Sequence, residues 1–93
     1  MPTPEDLGQA VRRLRRARHR SIENLAFAAG MHPTYLSGIE RGIRNPSWTK
    51  LCDLAEALAM PLSRIVQAAE EEGEVAQAVR EARARLAHER TGR

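Results

Sequence analysis

The sequence predicts an all-α protein: five helices plus a helical C-terminal extension. Alanine and arginine dominate the composition while β-branched residues are few, which favours helix over strand. Apolar residues recur at three- and four-residue intervals in one segment after another, the spacing of amphipathic helices. Helix-start and helix-stop residues stand between those segments.

Taken in order, Thr3 followed by Pro4, Glu5 and Asp6 reads as a helix start, with proline and acids in the first turn. Leu7, Ala10, Val11, Leu14 and Ala17 then form one apolar face. A second helix starts at Ser21, a good N-cap, and turns Leu25, Ala26 and Ala29 inward until Gly30 offers a left-handed stop. Pro33 opens a third helix with Leu36 and Ile39 inside, closed by Gly42. Pro46 and Ser47 open a fourth, whose expected inner face is Trp48, Leu51, Leu54, Ala55 and Leu58. Met60-Pro61 breaks it, and a fifth begins near Leu62 with Ile65, Val66 and Ala69 apolar. Glu70, Glu71, Glu72, Gly73 and Glu74 mark either a junction or a strained stretch of continuing helix. Beyond them Val75, Val79, Ala82 and Leu86 form a narrow seam of the kind used against a partner helix. We therefore expect a domain over residues 1–69 and a helical extension, a possible dimerisation element, over 70–93.

The 93 residues suffice for one domain with one modest core. With a single Phe27, Tyr35 and Trp48, that core must come from aliphatic side chains. No apolar run approaches the roughly 18–20 residues of a membrane span, and no signal-peptide pattern is seen. One cysteine, Cys52, cannot form an internal disulfide, so a reducing, cytoplasmic setting is expected. The net charge of +3 is unevenly spread: residues 1–50 carry nine Lys/Arg against four acids, residues 51–93 six against eight. A basic half suits docking on a polyanion.

The second and third helices are each about nine residues long and joined by about three residues, a length and linkage that make a helix-turn-helix unit. The small Ala26 lets the two approach, with Leu25, Ala29, Met31, Leu36 and Ile39 in the wedge between them. The stretch SIENLAFAAGMHPTYLSGIERGIRNPSWTKLCDLAEAL resembles the Cro/repressor-type (XRE-type, lambda-repressor-like) helix-turn-helix regulators. The likeness lies in Leu25-Ala26, Gly30, Tyr35-Leu36-Ser37, Ile39-Glu40-Arg41-Gly42, Asn45-Pro46 and Leu51 to Leu58, and covers roughly residues 5–67.

The resemblance implies five packed helices, the third in the major groove of double-stranded DNA, with dimers spanning two half-sites. It places Thr34, Ser37 and Arg41 at base edges, with His32, Pro33 and Gly38 beside them. It puts Tyr35, Arg44 and Asn45 on phosphates, and the helix starts add Ser21 and Lys50. It also implies that Arg15 and Glu40 pair inside the fold. Three positions depart from the family pattern. Ile22 replaces a common glutamine, Gly38 lacks a side chain usually shown to a base, and Arg20 stands where an apolar residue is usual. These departures bear on which DNA sequence is read, not on the fold.

The arginines at 12, 13, 16, 18 and 20 read as a solvated face, as do Glu70, Glu71 and Glu72. His19, His32 and His88 lack metal-ligand spacing, so no metal is expected. Cys52 reads as a packing residue, and no nucleophile pair, paired carboxylates or phosphate loop suggests an enzyme. No cofactor or small-molecule substrate is implied. The expected function is a dimeric, sequence-specific DNA-binding transcriptional regulator acting on operator DNA. The alternative is a helical protein-interaction module, such as an antitoxin or partner-recruiting subunit. Leu62, Ile65, Val66, Val75, Val79 and Leu86 are the dimer candidates.

Overall fold

The computed structural model describes residues 1–91, with side chains through residue 89. Its helices are α1 (Pro4–Ala17), α2 (Ile22–Ala28), α3 (Pro33–Glu40), α4 (Trp48–Ala57) and α5 (Leu62–Thr91). Four starts are capped from the sequence. Thr3 and Asp6 form a reciprocal capping box on α1, and the Ser21 and Ser47 hydroxyls accept from the backbone N–H groups of Asn24 and Lys50. The imidazole of His32 caps α3. The turns after α2 and α3 close with φ of 68° at Gly30 and 79° at Gly42, where a side chain would be strained.

Helix α1 packs across α5 and α3, α2 against α3, and α4 against α5 and α2. The core at their centre is aliphatic: Val11, Leu25, Leu36, Ile39, Leu54, Leu58 and Ile65 are almost entirely withdrawn from water. Gly8 sets how closely α1 meets the end of α3. A Cβ placed there would lie within contact-forbidden distance of the Ile39 and Glu40 carbonyl oxygens, the Glu40 one at 2.5 Å.

The acidic stretch around Gly73 proves to be continuing helix: α5 runs unbroken for 30 residues. It gives the molecule a long dimension of 56 Å against 24 Å in the other two. Its first half packs on the body, and Glu71 and Glu72 face Arg13 of α1 at 3.1 and 3.4 Å. Arg13 and these two glutamates thus leave the purely solvated faces assigned to them. Of the extension expected over 70–93, residues 92–93 lie outside the described residues.

Two expectations fail. Trp48, expected in the core, is 71% exposed, because the first turn of α4 lies beyond the core and burial begins in earnest only at Leu54. Ile65, a dimer candidate, is fully buried in its own chain, packed from the first turn of α5 with Leu58 and Ala68 in the core cluster. Leu62 is half-buried against the same core. Val66, Val75, Val79 and Leu86 remain exposed. Among the described residues, no helix is long and apolar enough to cross a membrane.

Candidate nucleic-acid interface

The two short helices α2 and α3 and the turn between them present one side of α3 to solvent. Its inward side is fixed by Leu36 and Ile39, both fully buried, which leaves Thr34, Ser37 and Arg41 on the outer side. Thr34 and Arg41 are exposed and Ser37 is half-buried. Their spacing of three and four residues keeps all three along one stripe of the helix.

His32 stands exposed at the start of this stripe, its Nδ1 accepting the Thr34 backbone N–H at 3.0 Å. Pro33 is the first helical residue and is half-buried. Tyr35 packs partly against the core. Gly38 is buried, contrary to its expected place on the open reading face. The cover is Arg44, whose Cγ lies where a Cβ on residue 38 would sit, only 2.5 Å from that point. The backbone N–H groups of Ile43 and Arg44 both donate to the Gly38 carbonyl, at 3.0 and 3.1 Å, folding the loop back onto α3. Arg44 and Asn45 are exposed in that loop, Lys50 is half-buried in the first turn of α4, and Ser21 is exposed ahead of α2.

Behind this surface the end of α3 is anchored to α1. Arg15 Nε and Nη2 donate to the two carboxylate oxygens of Glu40 at 2.7 and 3.0 Å, and Nη1 donates to the Arg20 carbonyl at 2.8 Å. Both side chains are nearly buried. The Glu40 hydrogen bonds hold the Arg15 guanidinium above its ordinary pKa; burial opposes them, while attraction to Glu40 and, less, to Glu23 adds to them. The carbonyl of Arg20, not its side chain, therefore has a structural use. Ile22, where the family often has glutamine, packs partly on the core.

Sequence reasoning missed three features. Gly8 gave no signal, because a close backbone approach is invisible without the partner helix. Phe27 is 89% exposed on α2, although the pattern there gave no reason to single it out. The contact between Arg44 and Gly38 links positions six apart across a turn, and only a glycine in mid-helix hinted at it.

A family model described as a helix-turn-helix domain matches residues 6–67. The chain belongs to that family. The control protein C.BamHI of Bacillus amyloliquefaciens is 43% identical over 54 residues, 57% of this chain and 67% of that one. Some longer relatives match as well, and the chain spans about 30% of their length. Among solved structures, the restriction-modification controller protein C.AhdI of Aeromonas hydrophila is 39% identical, with a TM-score of 0.66 over 67% of this chain and 94% of that one. The clp gene regulator ClgR of Corynebacterium glutamicum gives a TM-score of 0.81 at 29% identity, over 97% and 95%. That match extends beyond the helix-turn-helix family segment and takes in α5.

Proposed function

We propose that this helix-turn-helix protein is a sequence-specific transcriptional regulator that binds operator DNA as a homodimer, with α3 in the major groove. What supports this most is the two-sided α3: an aliphatic face buried without remainder, and a polar outer stripe of Thr34, Ser37 and Arg41 whose side chains make no hydrogen bond or ion pair among the described residues. Hydroxyls and a guanidinium are groups that pair with base edges, and a major groove is wide enough to admit one helix. His32 and Pro33 enter at the start of that stripe. Tyr35, Asn45, Lys50 and Ser21 flank it and serve phosphates, which position the protein without reading sequence. The relatives carry regulator and controller names, which supports a regulator that works in the cytoplasm beside its DNA.

Residues 1–69 form the DNA-binding unit and residues 70–93 the extension that joins two copies. Val66, Val75, Val79 and Leu86 are the candidates for that contact, since their apolar side chains stay exposed on the single chain. Two linked half-sites bind far more tightly than one through effective concentration.

The test is selection of bound fragments from the source genome, then salt titrations on the selected operator and on a random duplex. Thr34→Ala and Ser37→Ala are expected to cost roughly 1–3 kcal/mol on the operator and little on random DNA, as lost base contacts do. Equal losses on both duplexes rule out α3 as the reader.

A further inference from the structure

Beyond Gly73 the apolar positions of α5 have a spacing that reads the same in both directions. Val75, Val79, Ala82 and Leu86 follow at intervals of four, three and four residues. At that spacing they fall within one narrow stripe of the helix. Val75, Val79 and Leu86 are 60%, 43% and 59% exposed, so the stripe is open on the single chain. Val66 is exposed too, but it precedes Val75 by two and a half turns and so lies on the opposite side of α5. Charge is divided along the same helix. Residues 70–74 hold four glutamates and no cation, whereas residues 80–93 hold five arginines against two glutamates. Glu71 and Glu72 are drawn to Arg13 of α1, while Glu70 and Glu74 are exposed.

We propose that this stripe binds the same stripe of a second copy running in the opposite direction, with Val75 on the partner's Leu86 and Val79 on the partner's Ala82. This rests on the homodimer reading and goes beyond it by fixing direction and register. In a two-fold contact, where one residue meets a second across the axis, the second meets the first. Reversed onto itself, the stripe gives four such layers and sets each Ala82 against a valine. The parallel arrangement instead sets Ala82 on the partner's Ala82, a poorly filled layer in mid-seam. It also aligns the glutamates of 70–74 with one another. The reversed arrangement brings that acidic stretch beside the basic end of the partner helix, and complementary charge of this kind fixes register. The two-fold axis then crosses the helix pair midway, between residues 80 and 81. The two bodies, each ending near residue 69, are held at opposite ends, about 35 Å apart at a rise of about 1.5 Å per residue. Half-sites one turn apart are separated by roughly 34–36 Å. The helix pair is a spacer of that length.

The test uses the full chain with Cys52→Ser, so that introduced thiols are the only ones. Val75→Cys and Leu86→Cys are oxidised separately and as an equimolar mixture refolded together, and non-reducing electrophoresis reads the covalent dimer. The mixture is expected to cross-link, with half of its chains joined when the two variants pair at random. Neither variant alone is expected to cross-link. In the reversed pair the two copies of residue 75 are about 16 Å apart, beyond the roughly 7 Å that a disulfide spans between Cα atoms. Sedimentation gives an independent reading: Val79→Glu is expected to halve the mass, whereas Val66→Glu leaves it unchanged. Each altered α5 residue is exposed on the single chain, and circular dichroism checks that every variant is folded. Covalent dimers from either cysteine variant alone overturn the reversed direction. A dimer by sedimentation that no pair of thiols links, or one lost with Val66→Glu and kept with Val79→Glu, overturns the stripe as the interface. A wild-type chain that stays monomeric both free and on operator DNA overturns the homodimer reading itself, an outcome distinct from the other two.

Discussion

Removing either member of the Arg15–Glu40 pair is the sharpest perturbation available to the fold. The two side chains are 10% and 5% exposed, and Glu40 receives both of its described hydrogen bonds from Arg15. Arg15→Ala leaves the Glu40 carboxylate withdrawn from water without a cation, and also orphans the Arg20 carbonyl. Glu40→Ala leaves the guanidinium with that carbonyl alone. Breaking a buried pair from one side costs about 3–5 kcal/mol, a large part of the roughly 5–15 kcal/mol that holds a domain together. Urea unfolding followed by circular dichroism, at one fixed protein concentration because a dimer's stability depends on it, measures the loss.

Arg15→Met with Glu40→Leu is expected to recover most of that loss, because apolar replacement of a whole buried pair is often neutral. The pKa of Arg15 is raised by Glu40, so its share of the stability is complete below the ordinary arginine value and is lost only as pH rises through the higher folded one. No acidic or neutral pH removes it from the arginine side. Single variants within about 1 kcal/mol of wild type, well under the cost of a buried unpaired charge, refute the argument that this pair is desolvated and mutually dependent.

Three further outcomes are expected. Gly8→Ala should destabilise by about 1–3 kcal/mol in the same unfolding assay, since its Cβ would press on backbone at the end of α3 that cannot rotate away. His32→Asp keeps a side-chain acceptor for the Thr34 N–H and adds a favourable charge at a helix start, so the melt should hold or rise. The same substitution should weaken DNA binding by repelling phosphates, and unchanged affinity places the start of α3 away from DNA. Val75→Glu with Val79→Glu alters residues that are 60% and 43% exposed. The expected result is an unchanged monomer fold with half the mass in sedimentation, whereas unchanged mass moves the interface elsewhere.

Much of this was legible before any coordinates, and the reasons differ from residue to residue. Caps are local chemistry, so Thr3, Ser21 and Ser47 announced three of the five helix starts, and Gly30 announced a stop. Leu25, Leu36, Ile39, Leu54 and Leu58 were readable as core because each helix is short and has one buried side. Apolar spacing alone does not say how far along a helix the core extends, and Trp48 falls past that limit. It is equally silent on whether an apolar side chain meets its own chain or a second copy, so it reads Ile65 and Val66 alike although the first is buried and the second exposed.

The glycines show where sequence reading stops. Gly30 declares itself through the turn it makes, whereas Gly8 and Gly38 sit in mid-helix and look like weak points. Each is a vacancy shaped for something distant in sequence: the α3 carbonyls for one, the Arg44 stem for the other. Gly8, on α1, abuts the C-terminal end of α3, while Gly38 lies within α3 itself. Gly8 and Arg15 fix the end of α3 to the body, and Gly38 leaves room for the Arg44 stem to fold back from the loop onto α3. A helix held rigidly on one side is what allows its own side chains to be aimed on the other, because a reading group is only as well placed as the element beneath it. Loosening the inner anchor should therefore blur the outer contacts proposed for α3: Gly8→Ala, if it still folds, is expected to weaken the sequence preference in the same operator and random-duplex titrations without itself touching DNA.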